Sequence, residues 1–232
     1  MDTQKNIEFL KSNPEIYEFI IDKKLNAFHK YEPLEKVSEE FMERLSPLYF
    51  EAFIEIFESN KNTKSNLIIN KLLLSPLYCN AETEVKIIAY LTEILTLDLK
   101  KDTAIYEQLT GEDSDFIPIV DAGGFRILNA VNINILNRFS ELKILQLKNE
   151  IIDLSFKICD KIKNRKTDDR AYESFSYFIE NLPKLTLSND QQLIFDSYKR
   201  KDNRKKGLAT VISILVFLFI VIKFLYRSDL LN

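Results

Sequence analysis

Two adjacent glycines separate an acid from a base in the stretch Asp121-Ala122-Gly123-Gly124-Phe125-Arg126. This is the outline of an anion site, because amide groups left free at a helix start and an adjacent guanidinium both attract phosphate or carboxylate. Asp121, Gly123, Gly124 and Arg126 are therefore the candidate ligand-binding residues, with a hinge or a plain turn as the competing use of the same backbone. As a nucleotide fingerprint the stretch fails. It matches neither G-x-G-x-x-G nor the P-loop, and no Lys-Ser or Lys-Thr pair follows it.

Other chemistry-bearing groups are weaker candidates. Glu112, Asp113 and Asp115 offer paired carboxylates for acid-base work, but a loop opened by Gly111 without apolar enclosure leaves them solvated. A calcium loop would also need a more regular ligand pattern ending in Glu. Cys79 and Cys159 lie 80 residues apart and share no spacing with the single histidine, His29, so the four close ligands of a zinc site are missing. Their apolar neighbours, Leu77 and Tyr78 for one, Phe156 and Ile158 for the other, mark them as buried structural thiols. Glu39, Glu40 and Glu43 read as the wet face of a helix. The expectation is no catalytic residue, no metal and no cofactor, and a binding protein ahead of an enzyme.

The elements that must position these residues are helical. Among 232 residues there are only 4 Gly and 6 Pro, too few for many strands joined by tight turns. Asn13-Pro14 opens a helix with Tyr17, Ile20, Ile21, Leu25 and Phe28 at helical spacing. A stripe of Leu34, Val37, Phe41 and Leu45 is expected to end at Ser46-Pro47. After it, the apolar rows Tyr49, Phe53, Ile56 and Phe50, Ile54, Phe57 make the next helix the expected centre of the core. Leu67 to Leu74 and Glu82 to Leu97 follow, then a shorter polar helix over 98–110 and a short extended stretch from Phe116 to Val120. From Phe125 to Lys163 the pattern predicts one long helix, or two broken near Asn149. A helix through Tyr172, Phe175, Ile179 and Leu182 closes at Pro183, and Ser188 caps a last one through Ile194 and Tyr198. The fold class expected is all-α: an irregular bundle of about eight or nine helices followed by a C-terminal transmembrane helix.

That last element rests on Leu208 to Ile222, which carry no charge, with Lys223 the one charge before Arg227. Nineteen residues from Leu208 to Tyr226 span roughly 28 Å as a helix, about one hydrocarbon core. Lys199, Arg200, Lys201, Arg204, Lys205 and Lys206 precede the span while Arg227 follows it, so the body is expected on the cytoplasmic side. Lys223 reads as a snorkelling residue, and with the basic run and Arg227 it forms the expected membrane-surface contact. Residues 1–186 then form a cytoplasmic helical domain, 187–206 a juxtamembrane basic helix or linker, 207–226 the anchor and 227–232 a short outer tail, a tail-anchored layout. The membrane would be the plasma or inner membrane in a bacterium, and that of the endoplasmic reticulum or the mitochondrial exterior in a eukaryote.

Charge sharpens the functional reading. Residues 199–232 hold eight Lys or Arg and two Asp, a net of +6, so the rest of the chain carries −9. A body this acidic is repelled by phosphate backbones, which argues against nucleic acid as a partner. The expected partners are the lipid bilayer and a protein held beside it, making the chain a membrane-tethered scaffold. The alternatives are a membrane-bound enzyme acting on a lipid or nucleotide, and a defence or toxin-neutralising membrane component.

Overall fold

The computed structural model describes residues 8, 10–12, 14–25, 39–61, 67–75, 77–109, 124–163, 169–200, 215–217 and 219. Among them every regular element is helical. In chain order they are α1 (Pro14–Ile20), α2 (Glu39–Asn60), α3 (Leu67–Leu74), α4 (Ala81–Gln108), α5 (Ala130–Arg138), α6 (Leu142–Ile162) and α7 (Asp169–Asn181). A single 3-10 turn, Leu182–Lys184, follows α7, and α8 covers residues 189–200. The chain forms two compact units, Met1–Ser155 and Phe156–Asn232, whose boundary falls within the sequence of α6.

The first unit is built around α2. Leu45, Tyr49, Ala52, Phe53, Ile56 and Phe57 recur at helical spacing and are each at most 2% exposed. Burying a large apolar side chain contributes about 1.5–3 kcal/mol, and this face meets α1, α3 and α4. Phe19 of α1 stacks on Tyr49 at 4.9 Å between ring centroids. The expected centre of the core is thus where the rows of aromatics placed it. The expected break at Ser46-Pro47 is not there: α2 runs through Pro47 without interruption. Pro47 leaves the carbonyl of Glu43 without its helical donor, an interior cost of about 3 kcal/mol. Its ring lies on the exposed side, and the row of buried side chains opposite outweighs that loss. Ser46 adds a polar tie, donating to the Met42 carbonyl and accepting from the Asn80 amide at 2.7 Å.

Three other boundaries differ from the sequence expectation. The first helix ends at Ile20, with Lys23 in the left-handed region (φ 53°), so its stripe stops short of Leu25, and Phe28 lies outside the described residues. Glu82–Leu97 and the polar helix after it are one helix, α4, capped by the Asn80 side chain, which accepts from the Thr83 amide at 3.0 Å. No Gly or Pro between Leu97 and Gln108 interrupts the backbone, and Leu99, Lys100, Lys101, Ala104 and Glu107 are strong helix formers. The break in the 125–163 stretch falls at Phe139–Glu141, not Asn149, and α5 begins at Ala130 rather than Phe125. Phe139 leaves the helix in an extended conformation, with its ring buried and the Arg138 guanidinium 5.3 Å over it. That packing ends the helix where no Gly or Pro announces it. The expected extended stretch 116–120 and the acidic loop lie outside the described residues.

In the second unit the aromatic residues set the packing. Tyr198 of α8 sits 5.8 Å from Phe156 and 6.2 Å, edge-on, from Phe175. Its hydroxyl donates to the Phe156 carbonyl at 3.4 Å. The expected cap is a reciprocal capping box: Gln191 accepts from the Ser188 amide at 2.9 Å while Ser188 accepts from the Gln191 amide at 3.3 Å.

Candidate functional site: a cation-lined cavity at the start of α5

Four residues of α4, Asp98, Lys101, Asp102 and Ile105, recur at spacings of three, four and seven and so share one face of the helix. Against this face lies the turn Gly124–Asn129 that leads into α5. Asp102 is only 1% exposed, and its carboxylate accepts the Arg126 amide at 2.9 Å and the Ile127 amide at 2.8 Å. Burial pushes this carboxyl up to about 6, with Asp98 adding to the rise and the two amides opposing it.

The candidate anion site of the sequence takes a particular form here. Gly124 has a positive φ of 74°, a conformation that glycine adopts without strain, and a Cβ built on it would meet nothing within 4 Å. The amides of Arg126 and Ile127 point at an anion, and the anion is the protein's own Asp102. Arg126 itself is exposed, and its side chain makes no ion pair among the described residues. Asp121 and Gly123 lie outside the described residues.

Beside this latch, α5 starts from Asn129, whose side chain accepts from the Asn132 amide at 2.8 Å. Asn132 is 1% exposed. Its amide nitrogen lies 3.1 Å from Asp98 Oδ2 and 3.3 Å from each of the Arg126 and Ile127 carbonyls. Three acceptors around one nitrogen fix which way the amide faces. The other end, Asn132 Oδ1, is buried and finds no donor among the described residues. Such an atom costs about 1–3 kcal/mol unless something satisfies it.

Asn132 lines a cavity of about 300 Å³. Lys61, Lys101, Arg126, Asp98 and Asn129 supply its polar wall, and Phe57, Ile94, Leu97 and Val131 its apolar one. A second recess of about 320 Å³ adjoins it, sharing Lys101 and Arg126. Lys101 approaches Asp98 at 3.8 Å, with most of its side chain in solvent. Lys61 pairs with Glu58, whose carboxyl is held below its usual range by Lys61 and by the Tyr90 hydroxyl.

The chain matches no known relative. Comparison with family models, curated proteins and solved structures finds nothing similar to it.

The remaining candidates stand apart from the cavity. Burial pushes the Cys79 thiol up to about 11 and raises that of Cys159 as well, so neither is a ready thiolate. Cys159 is fully buried, as expected, whereas Cys79 is half-buried. His29 and the acidic residues 112–115 lie outside the described residues; among the described ones, no group of three or more His, Cys, Asp or Glu could hold a metal ion. Lys199 and Arg200 are exposed at the end of α8, which Phe195 and Tyr198, each 3% exposed, fix to the second unit. Lys201, Arg204, Lys205, Lys206, Lys223 and Arg227 lie outside the described residues. Sequence reasoning missed Lys61, Asp98, Lys101, Asp102, Asn129 and Asn132. The signals present were two aspartates four apart on α4 and a cap-like Asn three residues before another Asn.

Proposed function

We propose that the chain is a single-pass, tail-anchored membrane protein whose helical body binds a protein partner on the cytoplasmic side of the bilayer. The observation that carries this reading is the uncharged run Leu208–Ile222 placed directly after six basic residues. Among the described residues, no helix is long and apolar enough to cross a membrane, and most of the 207–226 segment lies outside them. The residues described within it, Leu215, Val216, Phe217 and Phe219, are helical and 53–68% exposed. Apolar side chains this open to solvent favour a hydrocarbon environment.

Supporting a binding role, Leu67, Ile68 and Leu74 of α3 are also exposed, at 58%, 41% and 64%. The full chain is expected to stay with membranes through alkaline extraction, and a chain ending at Lys206 to be released. Protease added to sealed cytoplasmic-side-in vesicles should leave the body intact. Extraction of the full chain, or cleavage of the body in sealed vesicles, would refute the tether or its orientation. Failure of mild-detergent isolation to recover a stoichiometric protein partner would remove the scaffold role.

The second reading, an enzyme acting on a lipid or nucleotide, draws support from the cation-lined cavity. The same cavity bears on a ligand whether or not any reaction follows.

A further inference from the structure

The charge lining the cavity opposes the charge of the body around it. Residues before position 199 carry a net of −9, yet Lys61, Lys101 and Arg126 share this wall with a single carboxylate, Asp98. Asp98 is already engaged by Asn132 at 3.1 Å and faces Lys101 at 3.8 Å. Among the described residues the Arg126 guanidinium makes no ion pair, though its charge acts on Asp102 at a distance, and its backbone amide is tied to that carboxylate. The backbone at this position is therefore set by the fold, with the exposed side chain on the cavity wall.

Two kinds of chemistry are asked of an occupant. The cations on this wall call for an anion, and a guanidinium together with an ammonium group suits the oxygens of a phosphate group. The apolar side of the same space calls for an uncharged organic body attached to that anion. Ile94, Leu97 and Val131 form the apolar part of the lining. The volume, about 300 Å³, lies at the lower end of ligand pockets.

We infer that this cavity is a binding site for a phosphate monoester: the phosphate sits between Lys101 and Arg126, and the organic body lies along Ile94, Leu97 and Val131. The same phosphate chemistry is available from a soluble ester or from a monoester lipid headgroup. This inference does not depend on the scaffold reading. Loss of the membrane tether would leave the cavity's lining unchanged.

The test uses the full chain reconstituted in phosphatidylcholine bilayers, with adenosine monophosphate, inorganic phosphate and adenosine as calorimetric probes. Adenosine monophosphate should bind saturably, phosphate more weakly, and adenosine weakest. Lys101→Gln and Arg126→Gln should each weaken binding roughly tenfold, since each removes a charge-assisted contact. Lys86→Gln, on an exposed face of the same helix outside the cavity lining, should change nothing. Thermal melts should be unaltered, because the fold uses the backbone of Arg126 rather than its side chain. Repeating the titration with about one lipid in five replaced by phosphatidic acid distinguishes the sources. Competition by that lipid assigns the headgroup, and unchanged binding assigns the soluble ester. The inference is overturned if neither adenosine monophosphate nor phosphate binds saturably, or if binding survives both cavity substitutions at full strength.

Discussion

The two ends of α5 solve the same problem in opposite ways. At its C-terminal end, side-chain donors meet acceptors on α3 and the chain after it: Arg138 donates to the Ser75 carbonyl, and Asn134 Nδ2 to Asn70 Oδ1 at 2.6 Å. At its N-terminal end a carboxylate from α4 holds two amides, while the neighbouring Asn132 keeps a buried oxygen that has no donor among the described residues, beside a charged cavity. One end closes its polar groups onto each other and fixes a helix; the other fastens its backbone amides and leaves Lys101 and Arg126 on the wall of a cavity. Both are buried polar networks, and the cations beside an open space are what separate a site from a fastening.

The strongest way to break the contrast is Asp102→Ala. It leaves the Arg126 and Ile127 amides without their acceptor, and at about 1–3 kcal/mol for each such group the loss should be on the order of 4 kcal/mol by denaturant unfolding. Next comes pH. The Asp102 carboxyl is raised to about 6 in the folded chain, against about 3.9 unfolded. Its proton is held more tightly by the folded state, so its contribution is most favourable below about pH 4, declines as pH rises, and levels off above about 6. Relative to Asp102→Asn, the wild-type chain should therefore lose about 3 kcal/mol of unfolding free energy across that window, from a shift of about two units at 1.36 kcal/mol each. Parallel curves for the two proteins would show that the carboxyl does not titrate there. The smallest effect belongs to the closed end. Arg138→Gln should cost about 2 kcal/mol, the worth of a hydrogen bond from a charged donor, and leave phosphate-ester binding as it was.

How far the sequence could be read follows the range of the interactions involved. Helix type and most starts were legible because their causes are local: Pro14 at the head of α1, Ser188 with Gln191, and the apolar rows from Tyr49 to Phe57 act within a turn or two. Pro47 misled because its cost is local while the burial that overcomes it comes from three other helices. Phe139 misled in the opposite sense, ending a helix through tertiary packing without any breaker in the chain. The site was half legible. The Gly124–Arg126 stretch stood out by composition, but Asp102 sits in a run of Lys and Asp that looks like a solvated face, and its partners are 24 and 25 residues further along. Nothing within one helical turn distinguishes it from Asp98 or Glu107.

Gly124 carries one further lesson. Its backbone is left-handed, yet the room where a side chain would stand is empty to 4 Å. The position therefore selects by backbone conformation and not by lack of room: an alanine would cost about 1 kcal/mol or more there, although its methyl group would press on nothing within 4 Å. That one replacement would load the turn through its dihedral angles alone.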